Sequence, residues 1–341
     1  MNSVNVLVTG IGGGGHGEQI LKALKLSSLN LYIVGTDVTE ESSGKQYVDL
    51  FYRLPFASDP QYSLKFFEII DKHKIQFVFH GSEPELAFLS ENREELERRG
   101  VMHCLNSREA IRLCMNKFNT YRKLESMGLV IPRFVKIDTV EDTGKIDFYP
   151  VVLKPNTSSG GSAHVQLALD AEDVLLLSKY LLKRKIDLIA QEYVGDHEHE
   201  YTIGVSSDAS GKVLGSVIVK RQLGTALSTR LKLRDSNRLY MISTGISQGD
   251  VCHHNLLKEQ AEAIARMLDS RGPLNIQCRL VDGRLMLMEI NPRLSGTTSL
   301  RAMAGYNEPE LMIRYYVNKE QWSDKYDDIT ILRTLNEMRI R

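Results

Sequence analysis

Through the first hundred residues, the spacing of hydrophobic positions switches back and forth between two periods. Val4–Thr9, Leu31–Thr36 and Ile75–His80 are short apolar runs, whereas Glu18–Leu26 and Leu64–Lys74 place apolar residues at helical spacing. Strands alternating with helices predict a small parallel sheet through about residue 105. Ser107–Cys114 and Asn116–Met127 then read as consecutive helices, the second with Asn116 as N-cap and Gly128 as C-cap. Beyond Pro132 strands dominate: Tyr149–Lys154, Ala163–Leu169, Leu188–Val194, Tyr201–Val205 and Val213–Gln222, interrupted by a helix over Asp170–Lys183. Leu223–Gln248 reads as a long Arg-rich connection. A helix at Leu256–Ser270 leads to a hairpin, Leu274–Leu280 and Leu285–Ile290, which turns at Asp282-Gly283. Ser299–Ala304 and Pro309–Val317 are helical, and Ile329–Arg341 fits neither period.

Composition narrows the class without choosing a function. At 341 residues the chain can bury two or three cores. Lysine plus arginine (43) equals aspartate plus glutamate (43), so no bulk field favours nucleic acid or an anionic membrane. No apolar run is long enough to span a bilayer, and the N-terminus lacks the basic flank and apolar core of a signal peptide. Cys104, Cys114, Cys252 and Cys278 share no metal-type spacing, which suits reduced thiols in a cytoplasmic protein.

The candidate chemistry concentrates at Arg284–Thr298, RLMLMEINPRLSGTT. Glu289 and Asn291 are two apart on a strand, so they project from one face as it ends at Pro292, with Arg293 at the rim. Two oxygen ligands beside a guanidinium suit Mg²⁺ and the phosphates it carries, although solvated polar residues at a strand end would look the same. Gln277 joins them only in one register. A strict two-residue turn pairs it with Met288, on the opposite face; a bulge at Gly283 after a type I turn puts it on the face of Glu289.

Other stretches are weaker alone. Gly10, Gly12 and Gly15 match GxGxxG, and Asp37 ends the next strand, the pattern of a dinucleotide site or merely of a tight strand-to-helix turn. Glu83 and Glu85 open a helix and suit its N-terminus electrostatically. Lys117 sits in a first helical turn, an awkward place for a cation. Lys154 ends a buried strand before a small-residue loop, Ser158-Ser159-Gly160-Gly161-Ser162, which could close over phosphates or simply be a hairpin loop. His197 and His199 lack a third ligand for a metal site.

Taken together these stretches resemble the ATP-grasp superfamily, most closely a single module of the carbamoyl phosphate synthetase large subunit. The carriers are VLVTGIGGGGHGEQILKAL, GSEPEL, MNKFNTYRKLESMGLVIP, YPVVLKPNTSSGG, QEYVGDHEHEYTIGV, NIQCRL and MEINPRLSGTT, in order. The resemblance implies an α/β chain: a Rossmann-like parallel-sheet domain at 1–105, an ATP-grasp fold of two α+β lobes at 106–320 with the small lobe at about 115–195, and a tail at 321–341. It implies that Lys117 and Lys154 grip ATP phosphates under the Ser158–Ser162 loop, and that Glu192, Tyr193 and Val194 hold adenine. Glu200, or Glu198 in another alignment, would bind ribose. Gln277, Glu289 and Asn291 would hold Mg²⁺, with Mn²⁺ as a substitute, and Arg293 would steady the transferred phosphate. Gly12, Gly13, Gly14 and Glu83 would face the acceptor substrate, with Lys220, Arg221 and Arg230 as further candidates for an anionic one.

The activity implied is carboxylate–amine ligation through an acylphosphate, on small-molecule acids and amines, with a homodimer as the default assembly. Carbamoyl-phosphate-type phosphorylation of bicarbonate is a second expectation, weakened because Lys154 stands where that enzyme has an arginine. A nicotinamide-dependent oxidoreductase and a non-catalytic nucleotide-binding protein complete the alternatives.

Overall fold

A computed structural model describes residues 3–157, 163–235 and 237–339. Its first domain is a parallel sheet of β1 (Val4–Val8), β2 (Leu31–Asp37), β3 (Leu50–Arg53) and β4 (Phe77–Phe79), in the order β3-β2-β1-β4. Between these strands run α1 (His16–Lys25) and α2 (Tyr62–Lys72), and α3 (Glu83–Glu91) follows β4. Both faces of the sheet are covered, which is why its strands are apolar throughout rather than alternating. One layer packs Tyr62, Phe66 and Leu86 beneath Leu7 and Val34. The opposite layer includes Leu294, Met312 and Ile313, residues that lie some three hundred positions later in the chain. They belong to the segment running into α4 (Thr298–Met303) and α5 (Glu308–Tyr316), and both helices contact α1.

The second region is built on two large antiparallel sheets. A four-stranded one takes β5 (Phe134–Ile137), β6 (Val151–Pro155), β7 (Gln166–Ala168) and β8 (Leu188–Glu192) in the order β5-β8-β6-β7. A six-stranded one orders β15 (Arg284–Asn291), β14 (Pro273–Val281), β9 (Glu200–Ser207), β10 (Val213–Arg221), β13 (Gly249–Cys252) and β16 (Ile329–Ile331). The helix at Lys117–Ser126 lies between the two, Asn116 capping it by accepting from the Asn119 N–H at 2.9 Å.

Two expectations are corrected here, and Leu50–Arg53 is a strand on which the sequence reading was silent. Leu223–Gln248 is not a featureless connection: it holds the hairpin β11 (Thr229–Asp235) and β12 (Arg238–Ser243). Arg230, Lys232 and Arg234 sit at every second position of β11 and are exposed, with Leu231 and Leu233 between them, a two-residue period that the reading as an Arg-rich connection passed over. Ile329–Arg341, which fitted neither period, contributes the edge strand β16.

A buried ion pair joins the large sheet to α4 and α5. Arg301, fully buried, meets Glu308 at 2.9 Å and donates to Asn275 Oδ1 at 3.0 Å. Gly204 leaves room for it, since a Cβ there would lie 2.3 Å from the guanidinium. Glu308→Ala leaves an uncompensated buried cation, a change that costs about 3–5 kcal/mol in comparable sites. The expected result is a lowered urea midpoint with an unchanged slope; an unmoved midpoint would count against the pair.

Candidate active site

The strand pair β14–β15 decides which side chains share a face. Asp282 and Gly283 both have positive φ (48° and 73°), so the turn is a tight two-residue one, with Val281 opposite Arg284. The ladder runs evenly to Cys278 opposite Leu287, and then Gln277 pairs with Glu289. Met288 is the extra residue, a bulge. Gln277 therefore shares the face of Glu289, though through a bulge within β15 and not at Gly283. The bulged carbonyl of Met288 accepts from Lys154 Nζ (2.7 Å) and from the Tyr121 hydroxyl, while Leu287 O accepts from Gln191 Nε2 at 3.0 Å.

Two lysines converge on Glu289. Lys117, at the N-terminus of its helix, places Nζ 3.0 Å from Glu289 Oε1. Lys154, at the end of β6, is buried, donates to Gln191 Oε1 at 2.7 Å, and lies 5.5 Å above the Tyr121 ring. Burial disfavours its charge, Glu289 partly restores it and Lys117 opposes it, leaving its pKa at about 7. Burial pushes Glu289 upward, but Lys117, Lys154 and Arg293 outweigh it and hold the carboxyl below its ordinary value.

These groups line one cavity of about 390 Å³ between the sheets and the N-terminal domain. Gln277, Glu289 and Asn291 present two amide groups and one carboxylate from adjoining strands. One carboxylate with neutral oxygens is a donor set that suits Mg²⁺, which takes its remaining ligands from phosphates and water. The opposite wall is Gly13–His16 and Glu83. Arg293 donates to Glu83 Oε1 (3.2 Å) and to its neighbour Leu294 O (3.1 Å). Burial alone would raise Glu83, but Arg293 and His16 hold it at about 2. Burial, reinforced by Arg293, lowers His16 to about 3, so its imidazole is neutral at pH 7.

A smaller, mainly apolar cavity adjoins the first and shares Lys154, Val165, Gln277 and Glu289 with it. Glu192, Tyr193 and Val194 line it. Both oxygens of Glu192 are engaged by the Arg133 guanidinium, at 3.0 and 2.9 Å.

Other sequence candidates fall elsewhere. Glu200 lines neither cavity. It is fully buried between Arg221 (2.9 Å) and Arg279 (3.0 Å), and its carboxylate pairs with both guanidinium groups. Glu198 is exposed on the preceding loop. Arg221 reaches the large cavity while Lys220, its neighbour on β10, does not, because adjacent strand residues face opposite ways. Arg230 is exposed on β11. Gly13 and Gly14 line the cavity; Gly12 instead donates its N–H to Asp37 Oδ2 at 2.7 Å. Asp37 also accepts from the Thr39 N–H (3.2 Å), so the acid that a dinucleotide ribose would need is spent on the loop itself. Glu85 is buried beneath the loop, its pKa raised to about 7 by desolvation, and takes no part in the cavity wall. Ser158, Ser159, Gly160, Gly161 and Ser162 lie outside the described residues.

Cavity residues that escaped the sequence reading include His16, Thr202 and Asn275, and the loop residues Ser247 and Gly296. Asn275 was findable, since it stands two before Gln277 on one strand face. His16 opens α1 directly after the glycine turn, a position that signals proximity to whatever the loop holds. Among the described residues there is no cluster of three or more histidine, cysteine or acidic side chains placed to hold a metal, and no helix long and apolar enough to cross a membrane.

Comparison with known proteins gives a consistent picture. Residues 185–337 match the family model described as "ATP-grasp in the biosynthetic pathway with Ter operon", and residues 6–104 match the PylC-like N-terminal domain. The carbamoyl phosphate synthase large chain of Thermoplasma acidophilum is 26% identical over 249 residues, covering 70% of this chain and 23% of that one. The chain thus spans about a quarter of the length of that relative. Among solved structures, an L-amino acid ligase from Bacillus licheniformis superposes with a TM-score of 0.64 at 17% identity, covering 92% of this chain and 74% of its own. The biotin carboxylase domain dimer of Hydrogenobacter thermophilus 2-oxoglutarate carboxylase, in complex with MgADP, ADP and bicarbonate, gives 0.64 at 14% identity, covering 97% and 73%. At these identities the likeness is one of fold.

Proposed function

We propose that the chain is an ATP-grasp ligase that activates a small carboxylic acid with ATP and joins it to an amine. The observation that carries this is the convergence of Lys117, Lys154, Gln277, Glu289, Asn291 and Arg293 on one cavity, from four separate segments. A carboxylate is a poor electrophile. Its oxygen attacks the γ-phosphorus of ATP, the bond to ADP breaks, and an acylphosphate forms. The amine then attacks the acyl carbon, phosphate leaves, and the ammonium-derived proton passes to solvent or to a cavity base.

The chain's own residues supply position and charge. Lys117 and Lys154 hold phosphate oxygens, Arg293 steadies the group in transfer, and the apolar second cavity seats the base of the nucleotide. Gln277, Glu289 and Asn291 would hold Mg²⁺, which supplies charge neutralisation of the phosphates. Glu192 and the Tyr193–Val194 backbone border the nucleobase, and Gly13, Gly14 and Glu83 the acceptor. The sharing of Asp37 within the glycine loop counts against a nicotinamide site.

The deciding experiment is product analysis with Mg-ATP, pooled carboxylic acids including bicarbonate, and hydroxylamine as a trap. ADP, phosphate and a hydroxamate are expected. Production of AMP and pyrophosphate, or of no nucleotide product with ATP unbound, would overturn the reading.

A pH effect follows from Lys154. With its pKa at about 7 in the nucleotide-free protein, it is largely neutral at pH 8. Incoming phosphates favour the charged form, so ATP binding takes up a proton at pH 8 and almost none at pH 6. Calorimetry in two buffers of different ionisation enthalpy measures this uptake, and Lys154→Met should abolish it.

A further inference from the structure

The segment after β16 ends against the active site. Arg333 donates from Nε to Ser247 O (2.7 Å), from Nη1 to Gln19 Oε1 (2.7 Å), and from Nη2 to Gly296 O. Its backbone N–H donates to Gln248 Oε1 at 3.2 Å. Ser247 and Gly296 line the large cavity directly. Gln19 extends the third contact: its Nε2 donates to Gly14 O at 3.3 Å, and Gly14 lines the cavity opposite Glu289. One guanidinium therefore touches three cavity walls that belong to α1 and its glycine turn, to the loop before β13, and to the loop after β15.

The partners are all neutral oxygens. Among the described residues no carboxylate lies within ion-pair distance of Arg333. A half-buried guanidinium held by carbonyls has little to recommend it as a stability device: burial lowers its pKa to about 10, and Glu18, beyond ion-pair distance, offsets that only in part. Its planar fork does what no other side chain can: it fixes three acceptors at defined angles at once. The walls it fixes lie at the acceptor end, beside Arg293 and Glu83, and away from the apolar nucleotide cavity, which shares none of them.

We propose that Arg333 is a positioning residue for the amine-transfer half of the reaction: its three-way hydrogen bonding fixes the glycine turn and the Ser247 and Gly296 loops around the acceptor. This rests on the ligase reading above. The fork, not the charge, carries the role, so lysine cannot replace it.

The test compares the unmutated protein with Arg333→Gln and Arg333→Lys by hydrogen exchange, Mg-ADP binding and turnover. Exchange is expected to rise in both variants within 13–19, 244–248 and 294–299 together, with Mg-ADP affinity changed less than twofold. With the acid and amine found by product analysis, KM for the amine should rise about tenfold or more while KM for ATP stays put. Unchanged exchange in the three segments would overturn the proposal, as would loosening of the whole six-stranded sheet. Full restoration by Arg333→Lys would overturn the fork argument in favour of charge alone. Because exchange and Mg-ADP binding need no substrate, failure of the ligase reading would show as absent turnover with the exchange pattern intact.

Discussion

Glu289→Gln is expected to reduce ATP turnover by about two to three orders of magnitude, while the protein stays folded. The change keeps the shape and one amide oxygen but removes the only carboxylate among the three proposed metal ligands. It also removes the anion that sits 3.0 Å from Lys117 and that keeps Lys154 partly charged. Lys154 answers by losing its proton more readily, which spares the fold an uncompensated buried charge. The consequence for binding is distinctive. With its negative charge gone, the site loses its preference for Mg-ATP over free ATP, even though two lysines remain to hold phosphate. Measured ADP release, together with ATP affinity with and without Mg²⁺, tests both halves. Turnover near that of the unmutated protein would remove Glu289 from the mechanism.

Lys154→Met carries the second large effect, a loss of about a hundredfold to a thousandfold in turnover. In the nucleotide-free protein Lys154 is a liability. It is buried, its charge is disfavoured by desolvation and by Lys117, and its two hydrogen bonds go to neutral oxygens on Gln191 and Met288. Methionine fills similar volume without that penalty, though it leaves those two oxygens unpartnered. Stability is therefore expected to stay within about 1–2 kcal/mol while chemistry collapses. A thermal melt alongside ADP release separates the two. Parallel loss of melting temperature and activity would mean that Lys154 holds the lobes together and does not act on ATP.

How far the site could be read from residues depended on whether local spacing decided the outcome. Glu289 and Asn291 share a face because strand geometry leaves no alternative. The parallel domain was legible for a similar reason, since apolar runs and helical periods alternated cleanly. Gln277 was not decidable, because its register depends on a bulge at Met288 held by contacts from Lys154 and Tyr121, more than a hundred positions away. The surroundings of Glu200 were equally out of reach, since its partners Arg221 and Arg279 come from other strands. The β11–β12 hairpin was legible in principle, since Leu231 and Leu233 alternate with Arg230, Lys232 and Arg234, but the stretch is short and its abundance of arginine reads first as a connection.

The packing of Leu294, Met312 and Ile313 against the first parallel sheet bears on how this protein is made. During synthesis the strands β1, β2 and β4 emerge first, yet one of their two faces has no complete cover until residues 294–317 have left the ribosome. At about 5–20 residues per second, that leaves an apolar surface waiting for roughly 10–40 seconds. The interval is long enough for a chaperone to bind or for two nascent chains to meet. A ribosome stalled after residue 110 should therefore expose a sticky, protease-sensitive domain, and one stalled well beyond residue 320 a protected one.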